Sequence, residues 1–235
     1  MTAELSPIDK AKYAAARKSV DFVEDGMKLG LGTGSTAAWM VRCLAERIRD
    51  EGLKVTGVAT SSRTANLARD LGVPIASLDD VRWLDLTIDG ADEVDPDLNV
   101  IKGGGGALLR EKIVAQVSRR VIIVVDETKP SPRLGTHWPV PVEVIPFGWR
   151  SQARYLASLG ATYTIREQRD GSQFVTDSGN MILDCQFGPI ADAHSLAAAL
   201  GARAGIVEHG LFIGLTTELI VAGAGGMQVT ARVTP

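Results

Sequence analysis

A glycine-rich turn near the N-terminus has the composition of an anion-binding loop. The turn Gly32-Thr-Gly-Ser-Thr-Ala37 follows a predicted strand ending at Leu31 and opens a predicted helix. Its backbone N–H groups, its hydroxyls and the positive end of the helix together suit a phosphate group. No lysine follows at the spacing of an NTP-binding P-loop, which argues against that class of site. A tight turn that binds nothing is the simplest alternative.

The same turn also matches the G-x-G-x-x-A pattern of dinucleotide-binding proteins. The second predicted strand ends at Ser61-Ser-Arg63, without the acid that binds a ribose 2′-hydroxyl, so an NADP-type site is the compatible version. No Tyr-x-x-x-Lys pair is present to support reductase chemistry. An NADP-dependent oxidoreductase therefore stays open as a second hypothesis.

Four carboxylates lie within seven residues directly after the predicted strand Leu84–Ile88. The segment is Asp89-Gly-Ala-Asp-Glu-Val-Asp95. Carboxylate oxygens are the ligands that Mg²⁺ prefers, so a metal site is one interpretation and solvated surface acids are another. Lys102 and Lys112 supply counter-charges in the next loop and helix, so we expect no metal.

The run Gly103–Gly106 indicates that bare backbone is required at this point of the chain. Each glycine costs about 1 kcal/mol of conformational entropy relative to alanine. Close approach of main-chain amides to an anionic ligand would explain the run, and a flexible hinge is the alternative. Glu111 lies about one turn into the helix that follows, where an ordinary glutamate paired with lysine is the simpler interpretation. Lys129 follows the predicted strand Val121–Val125 and is either a ligand of the same site or a solvated lysine.

The elements that must position these loops alternate between strands and helices. Predicted helices close at Gly26, Gly52 and Gly72, and short aliphatic strands separate them. Val100-Ile101 is predicted as one more strand in this series. Such alternation predicts a mostly parallel sheet with helices on both faces, whose strands end at a common edge. The loops should therefore converge on one crevice.

The second half of the chain has a different pattern. Five prolines between residues 130 and 146 predict a linker or an extended edge segment. Helices are predicted over 148–160 and 191–200, and antiparallel strands over 162–168, 173–176 and 181–185. These elements form a small α+β unit. The apolar segments at 211–214 and 219–223 resemble the first half, so we expect the chain to return to its first sheet.

Composition excludes several classes of protein. The chain has 235 residues, 45% of them hydrophobic and 23% charged, which excludes disorder. Two cysteines are too few for a disulfide framework and fit a reducing compartment. A net charge of −3 without a basic cluster argues against nucleic acid as a partner. The charged N-terminus and the lack of a long apolar run predict a cytoplasmic protein without a membrane partner.

Taken in order, the motifs resemble the ribose-5-phosphate isomerase A family over nearly the whole chain. They are Gly30-Leu-Gly-Thr-Gly-Ser-Thr36, Asp89-Gly-Ala-Asp92, Lys102-Gly-Gly-Gly-Gly-Ala-Leu108 with Arg110-Glu111-Lys112, and Pro139-Val-Pro-Val-Glu143. The resemblance implies a Rossmann-like catalytic domain over residues 1–134 plus 207–235. It also implies an inserted ferredoxin-like α+β domain over 135–206, a homodimer or dimer of dimers, and no metal or cofactor.

For function, the resemblance implies interconversion of D-ribose 5-phosphate and D-ribulose 5-phosphate in the non-oxidative pentose phosphate pathway, with Glu111 as catalytic base. The sugar-phosphate contacts that it implies are Thr33, Gly34, Ser35, Thr36, Asp89, Gly90, Ala91, Asp92, Lys102, Gly103, Gly104, Gly105 and Lys129.

The chemistry of aldose–ketose isomerisation fits these residue types. A proton leaves the carbon beside a carbonyl and returns to the neighbouring carbon, and one carboxylate performs both transfers. Lys102 and glycine amides supply positive charge beside the enediolate oxygens. Asp89 and Asp92 are suited to bind hydroxyls and to transfer the proton that opens the furanose ring, and their division of labour stays open. A non-catalytic sugar-phosphate sensor is a third hypothesis, although no DNA-recognition helix is visible.

Overall fold

The computed structural model describes residues 5–232. The first four and last three residues, which belong to the predicted catalytic domain, lie outside the described residues. The helices are α1 (Pro7–Val20), α2 (Ser35–Glu51), α3 (Ser62–Asp70), α4 (Leu78–Val81), α5 (Leu108–Gln116), α6 (Trp149–Ser158) and α7 (Ala193–Gly201). The strands are β1 (Lys28–Leu31), β2 (Thr56–Ala59), β3 (Leu84–Asp89), β4 (Glu93–Val94), β5 (Val100–Ile101), β6 (Ser118–Asp126), β7 (Val140–Val144), β8 (Thr162–Ile165), β9 (Met181–Gln186), β10 (Ile206–His209), β11 (Leu211–Phe212), β12 (Glu218–Gly223) and β13 (Gly226–Ala231).

Six strands form a mostly parallel sheet in the order β13-β12-β6-β3-β1-β2. Neighbouring strands from β12 to β2 run parallel, and β13 returns antiparallel to β12 as a hairpin. The inner strands are short runs of buried aliphatic residues, as a parallel sheet covered on both faces requires. The predicted α/β class with a mostly parallel sheet is confirmed, and the return of the chain to this sheet through β12 is confirmed with it.

Helices cover both faces of this sheet. On one face, α1 and α2 pack over alternate strand residues such as Leu29, Leu31 and Ile88. On the other face, α5 packs directly over β1, because a Cβ at Gly30 would lie 2.6 Å from Cγ1 of Val114. Glycine at position 30 therefore allows the close approach of α5.

A four-stranded antiparallel sheet has the order β10-β7-β9-β8. Its chain order is β7, α6, β8, β9, α7, β10, so the strands are arranged 4-1-3-2 as in ferredoxin-like folds. Its core contains aliphatic residues of β7 and β9 together with Ala153 and Leu156 of α6. The predicted ferredoxin-like α+β unit is confirmed.

Two expectations for this part of the chain are wrong. The proline-rich stretch contains β7, which is a central strand with all five residues buried, not a linker or an edge. Pro141 lies against Gly210, whose amide donates to the Pro141 carbonyl at 2.7 Å. The carbonyl of Gly210 accepts the amide of Lys102 at 2.9 Å, so it does not depend on the N–H that proline lacks. Residues 173–176 form no named strand and contribute an isolated bridge between Glu167 and Gln173.

The short strand β5 does not extend the parallel sheet, which corrects another expectation. It pairs antiparallel with β4 and β11 in a separate three-stranded sheet. A two-residue apolar run satisfies its hydrogen bonds equally well in either sheet, so local sequence does not specify the partner.

The chain divides into two compact units. Within the described residues, the first comprises 5–91, 110–129 and 215–232, and the second comprises 92–109 and 130–214. Residues 92–109, which the sequence analysis placed in the catalytic domain, contribute β4 and β5 to the second unit. Between residues 5 and 232, no helix has the length and hydropathy needed to cross a membrane.

Candidate active site

The glycine turn after β1 is shaped by a carboxylate of β3. A Cβ at Gly32 would lie 2.1 Å from Oδ1 of Asp89, so a larger residue does not fit. Gly34 has a φ of 120° and is the N-cap of α2, which begins at Ser35. The turn therefore places its amides at the N-terminus of a 17-residue helix, as predicted for a phosphate site.

Asp89 joins the loops after β1 and β3. Its Oδ1 accepts hydrogen bonds from the amide of Thr33 at 3.1 Å and the amide of Gly90 at 2.7 Å. A Cβ at Gly90 would lie 3.9 Å from Cβ of Thr36, so the two loops are in contact. The first unit thus brings the predicted residues of these two loops together.

The hydroxyl of Thr33 belongs to a cluster of hydroxyls. Its Oγ1 lies 2.7 Å from Oγ1 of Thr60 and donates to Oγ of Ser61 at 2.8 Å. Thr64 completes the cluster at 3.3 Å and donates to the carbonyl of Gly32 at 2.9 Å. This cluster fixes the turn, so we assign the Thr33 hydroxyl a positioning role within the predicted phosphate loop.

Lys129 lies just past the carboxyl end of β6, the strand next to β3. Its amide donates to the carbonyl of Asp126 at 3.2 Å, and Oδ1 of Asp126 accepts the amide of Thr128 at 3.0 Å. The tight turn at the end of β6 therefore places Lys129 at the same sheet edge as Asp89, as predicted for a fourth loop.

Glu111 is buried in the first turn of α5, with 3% of its surface exposed. The carbonyl of Val117, at the end of α5, accepts the amide of Leu84 at the start of β3. The helix consequently runs antiparallel to β3, and its first turn points to the edge where β3 ends at Asp89. Val114 faces Gly30, and residues three apart share a helix face, so Glu111 lies over the sheet as well.

In the second unit, Asp92 and the glycine run are in direct contact. Oδ2 of Asp92 accepts the amide of Gly104 at 2.7 Å, and a Cβ at Gly104 would lie 2.6 Å from Oδ1. A Cβ at Gly103, whose φ is 109°, would press on Pro141 at 3.1 Å. At Gly106 it would lie 2.3 Å from Cζ of Phe174. Contacts within the protein therefore already require glycine at three of the four positions, beyond the predicted ligand approach.

Lys102 is a buried cation, with 4% of its surface exposed. Its amide donates to the carbonyl of Gly210 at 2.9 Å, and its Nζ lies 5.7 Å from the centre of the Phe212 ring. An ammonium held in such a site acts on a nearby anion with little screening by water.

The four clustered carboxylates have separate partners, which relieves the expected repulsion. Glu93 is fully buried and accepts the amides of residues 135–138 at 2.9–3.2 Å. Asp95 accepts the amide of Asn99 at 2.8 Å, while Asp89 and Asp92 accept the amides given above. Among the described residues, no group of three or more His, Cys, Asp or Glu side chains is arranged to hold a metal ion.

Sequence reasoning missed the residues that secure the glycine run from the ferredoxin-like unit. Arg166 donates to the carbonyl of Gly103 and forms a bidentate ion pair with Asp184. No motif marks Arg166, because its partners lie 18 and 63 residues away in the sequence. A polar residue directly after a strand was the sole local signal.

Comparison with known proteins identifies the family. The family model for ribose 5-phosphate isomerase A (phosphoriboisomerase A) matches residues 56–226. A ribose-5-phosphate isomerase A of Cereibacter sphaeroides is 56% identical over 239 residues, covering 99% of this chain and 94% of that protein. A second, from Jannaschia sp., is 55% identical over 233 residues, covering 96% and 88%.

A solved D-ribose-5-phosphate isomerase in complex with phospho-erythronic acid has 37% sequence identity to this chain. The two structures superpose with a TM-score of 0.94, over 97% of this chain and 100% of that one. The resemblance found in the motifs is thus confirmed by sequence and by structure. The chain belongs to the ribose 5-phosphate isomerase A family.

Proposed function

We propose that this chain interconverts D-ribose 5-phosphate and D-ribulose 5-phosphate through an enediolate, with Glu111 as the base. The position of Glu111 carries the proposal. Its side chain is buried in the first turn of α5, and that turn points to the sheet edge where Asp89 and Thr33 are joined. An ordinary solvent-exposed glutamate would lie on the outer face of the helix.

The reaction needs one base and no oxidant. Glu111 takes the proton from C2 of the open-chain aldose, and the C–H electrons form the C1=C2 bond of the enediolate as charge moves to O1. The carboxyl group then returns a proton to C1, while the hydroxyl proton at O2 is lost and O1 is protonated, which leaves the ketone at C2. Atoms and electrons balance within the sugar, so the reaction needs no external oxidant or reductant.

The negative charge of the enediolate needs fixed positive groups. Lys102 is buried, and the adjoining amides of Gly103–Gly105 carry partial positive charge. Removing one such donor from an enzyme typically lowers the rate about 10²- to 10³-fold. We assign Lys102 and the amides of Gly103 and Gly105 to the enediolate oxygens, while the Gly104 amide donates to Asp92 and holds that carboxylate.

The phosphate group is assigned to the turn over residues 33–36 and to Lys129. The turn presents its amides at the N-terminus of α2, whose dipole favours an anion. Lys129 follows β6 at the same sheet edge. We assign Asp89 and Asp92, with Gly90 and Ala91 between them, to the sugar hydroxyls and to opening of the furanose ring.

We also propose a homodimer or a dimer of dimers in the cytoplasm, without nucleic acid or membrane as partner. The family resemblance supports the oligomer, and the net charge of −3 supports the lack of a nucleic-acid partner. Light scattering after gel filtration should give two or four times the chain mass of 24.9 kDa. A monomer would contradict the oligomer.

The reaction is tested by adding ribose 5-phosphate in heavy water and following ketose formation. We expect turnover without added cofactor, with solvent deuterium at C1 of the product. A protein that binds the sugar phosphate without converting it would instead be a sensor.

A further inference from the structure

We propose that Arg166 is a positioning residue for the isomerisation, which acts by fixing the peptide between Gly103 and Gly104. The inference rests on the proposed function, since Asp92 and the glycine amides are the groups that it positions. Arg166 directly follows β8 in the ferredoxin-like unit, and its side chain is 14% exposed. It is therefore a largely desolvated cation whose contacts are fixed by packing.

The guanidinium of Arg166 joins two different parts of the second unit. Its Nε donates to Oδ2 of Asp184 at 2.9 Å, and its Nη2 donates to Oδ1 of the same carboxylate. Its Nη1 donates to the carbonyl of Gly103, and to the carbonyl of Gly104 at 3.3 Å. The ring of Phe174 lies 6.0 Å from the guanidinium carbon. Asp184 thus orients the planar group so that its remaining donor meets the glycine run.

One peptide plane is held at both ends by this arrangement. The carbonyl of Gly103 and the amide of Gly104 belong to the same planar trans peptide and point in opposite directions. Arg166 binds the carbonyl, and Oδ2 of Asp92 accepts the amide at 2.7 Å. Rotation of this peptide would break both bonds, so Arg166 fixes the Asp92 carboxylate through the peptide. A cation on the carbonyl also polarises the amide, which makes it a stronger donor to Asp92.

The next peptide is oriented in the same way. The carbonyl of Gly104 faces Arg166, so the amide of Gly105, at the other end of that peptide, points away from the guanidinium. Gly105 is one of the residues assigned to the enediolate. The glycine run lacks side chains that could restrict its rotation, and Arg166 supplies that restriction from outside.

A cavity of about 330 Å³ supports a role beyond holding the fold together. Its lining includes Arg166, Asp184, Asp92 and Gly104. The ion pair between Arg166 and Asp184 thus opens onto the same cavity as Asp92, which is assigned to the substrate. The cavity also gives a small cation access to the position of the guanidinium.

The test compares two variants of Arg166 with the parent protein, using ketose formation from ribose 5-phosphate. Arg166→Lys keeps the charge but cannot hold Asp184 and two carbonyls at once. We expect kcat to fall about 10- to 100-fold in this variant, with KM changed less than about threefold, because the peptide orientation matters most in the transition state. In Arg166→Ala, kcat should fall by at least the same factor.

Chemical rescue separates positioning from structural support. Millimolar guanidinium should restore the kcat of Arg166→Ala at least about fivefold by occupying the vacated position. The matched control is Arg203→Lys, since Arg203 in the same unit donates to Gln152 and Ser151 instead of the glycine run. That variant should keep the parental kcat and show no response to guanidinium.

Parental kcat in Arg166→Lys would overturn the inference, and so would failure of guanidinium to raise the kcat of a folded Arg166→Ala. If Arg166→Ala does not fold, the test rests on Arg166→Lys, in which kcat should fall while KM changes little. Lack of turnover by the parent protein would overturn the proposed function itself, and is recognised before any variant is measured.

Discussion

At the residue scale, two aspartates of the candidate site share one arrangement, in which a glycine lies against a carboxylate that accepts backbone amides. Gly32 contacts Asp89, and Gly104 contacts Asp92, each within a distance that excludes a Cβ. Both carboxylates are thereby held in place before any ligand binds. Preorganisation of this kind lowers the cost of orienting a sugar hydroxyl.

Gly32→Ala should therefore damage the site directly. The new methyl group would lie 2.1 Å from Oδ1 of Asp89, so the carboxylate or the turn must move. We expect kcat to fall at least about 10-fold, and the free energy of unfolding to fall by about 1–3 kcal/mol. The control is Gly201→Ala in α7, where a Cβ meets open space. Parental kcat in Gly32→Ala would refute the role of this contact.

The two cysteines should be unreactive in the folded protein. Burial raises the pKa of Cys43 to about 11, and burial raises the pKa of Cys185 to about 12. Both thiols are therefore protonated near pH 8, and the thiolate is the form that reacts. Mass spectrometry after iodoacetamide treatment should show neither alkylated in native buffer and both alkylated in concentrated urea. Rapid alkylation of either cysteine in native buffer would contradict the buried position of its thiol.

The sequence predicted some site residues and could not predict others. Asp89 was a candidate from the residues alone because it directly follows a buried strand, whereas the role of Glu111 was implied by the family resemblance and not by its local sequence. Arg166 was missed because its role depends on a contact with Gly103, 63 residues away. Glu93 was counted among four acids, but its four amide donors come from residues 135–138, more than 40 residues further on.

At the element scale, turns were predicted better than strand partners. The first strand, glycine turn and helix were found because glycine positions and apolar spacing are local properties. The partners of β5 and the central place of β7 depend on pairings between distant residues, such as Val142 with Leu183. The five prolines near β7 were a strong but misleading local signal, because Pro141 occupies a central strand where the facing carbonyl of Gly210 accepts a hydrogen bond from Lys102 instead.

Among interactions between elements, the carboxylate of Glu93 connects β4 to the segment before β7 by accepting four backbone amides. Glu93→Gln places an NH₂ group among four amide donors, which leaves donors unsatisfied in a buried site. We expect the free energy of unfolding in urea to fall by about 2–3 kcal/mol. The same chemical change at the exposed Glu24 should alter it by less than about 0.5 kcal/mol. An unchanged free energy of unfolding for Glu93→Gln would show that the hydrogen bonds to this carboxylate contribute little to stability.

At the scale of the whole molecule, the family assignment and both sheet types agree with the motif order. The α/β class followed from the alternation of strands and helices along the chain, whereas the ferredoxin-like arrangement, with its 4-1-3-2 strand order, was implied by the family resemblance. The placement of residues 92–109 did not follow, because β5 pairs with β11, more than 100 residues away in the sequence, and β4 pairs with β5.

For the molecule as a whole, we predict that isomerisation needs no metal ion. The carboxylates of Asp89, Asp92 and Glu93 already accept backbone amides, so they need no cation to coexist. Turnover of ribose 5-phosphate should stay within about twofold of the parental rate after exhaustive dialysis against a chelator. Loss of activity that Mg²⁺ restores would favour the magnesium interpretation of the acidic segment.

Proton transfer by Glu111 is tested by measuring turnover of ribose 5-phosphate in heavy water by Glu111→Gln. The substitution keeps the size of the side chain and removes its basicity, so the sugar phosphate should still bind while kcat falls at least about 10³-fold. Glu24→Gln is the matched control and should retain parental turnover and deuterium incorporation. A Glu111→Gln protein with the parental rate would contradict proton transfer by Glu111.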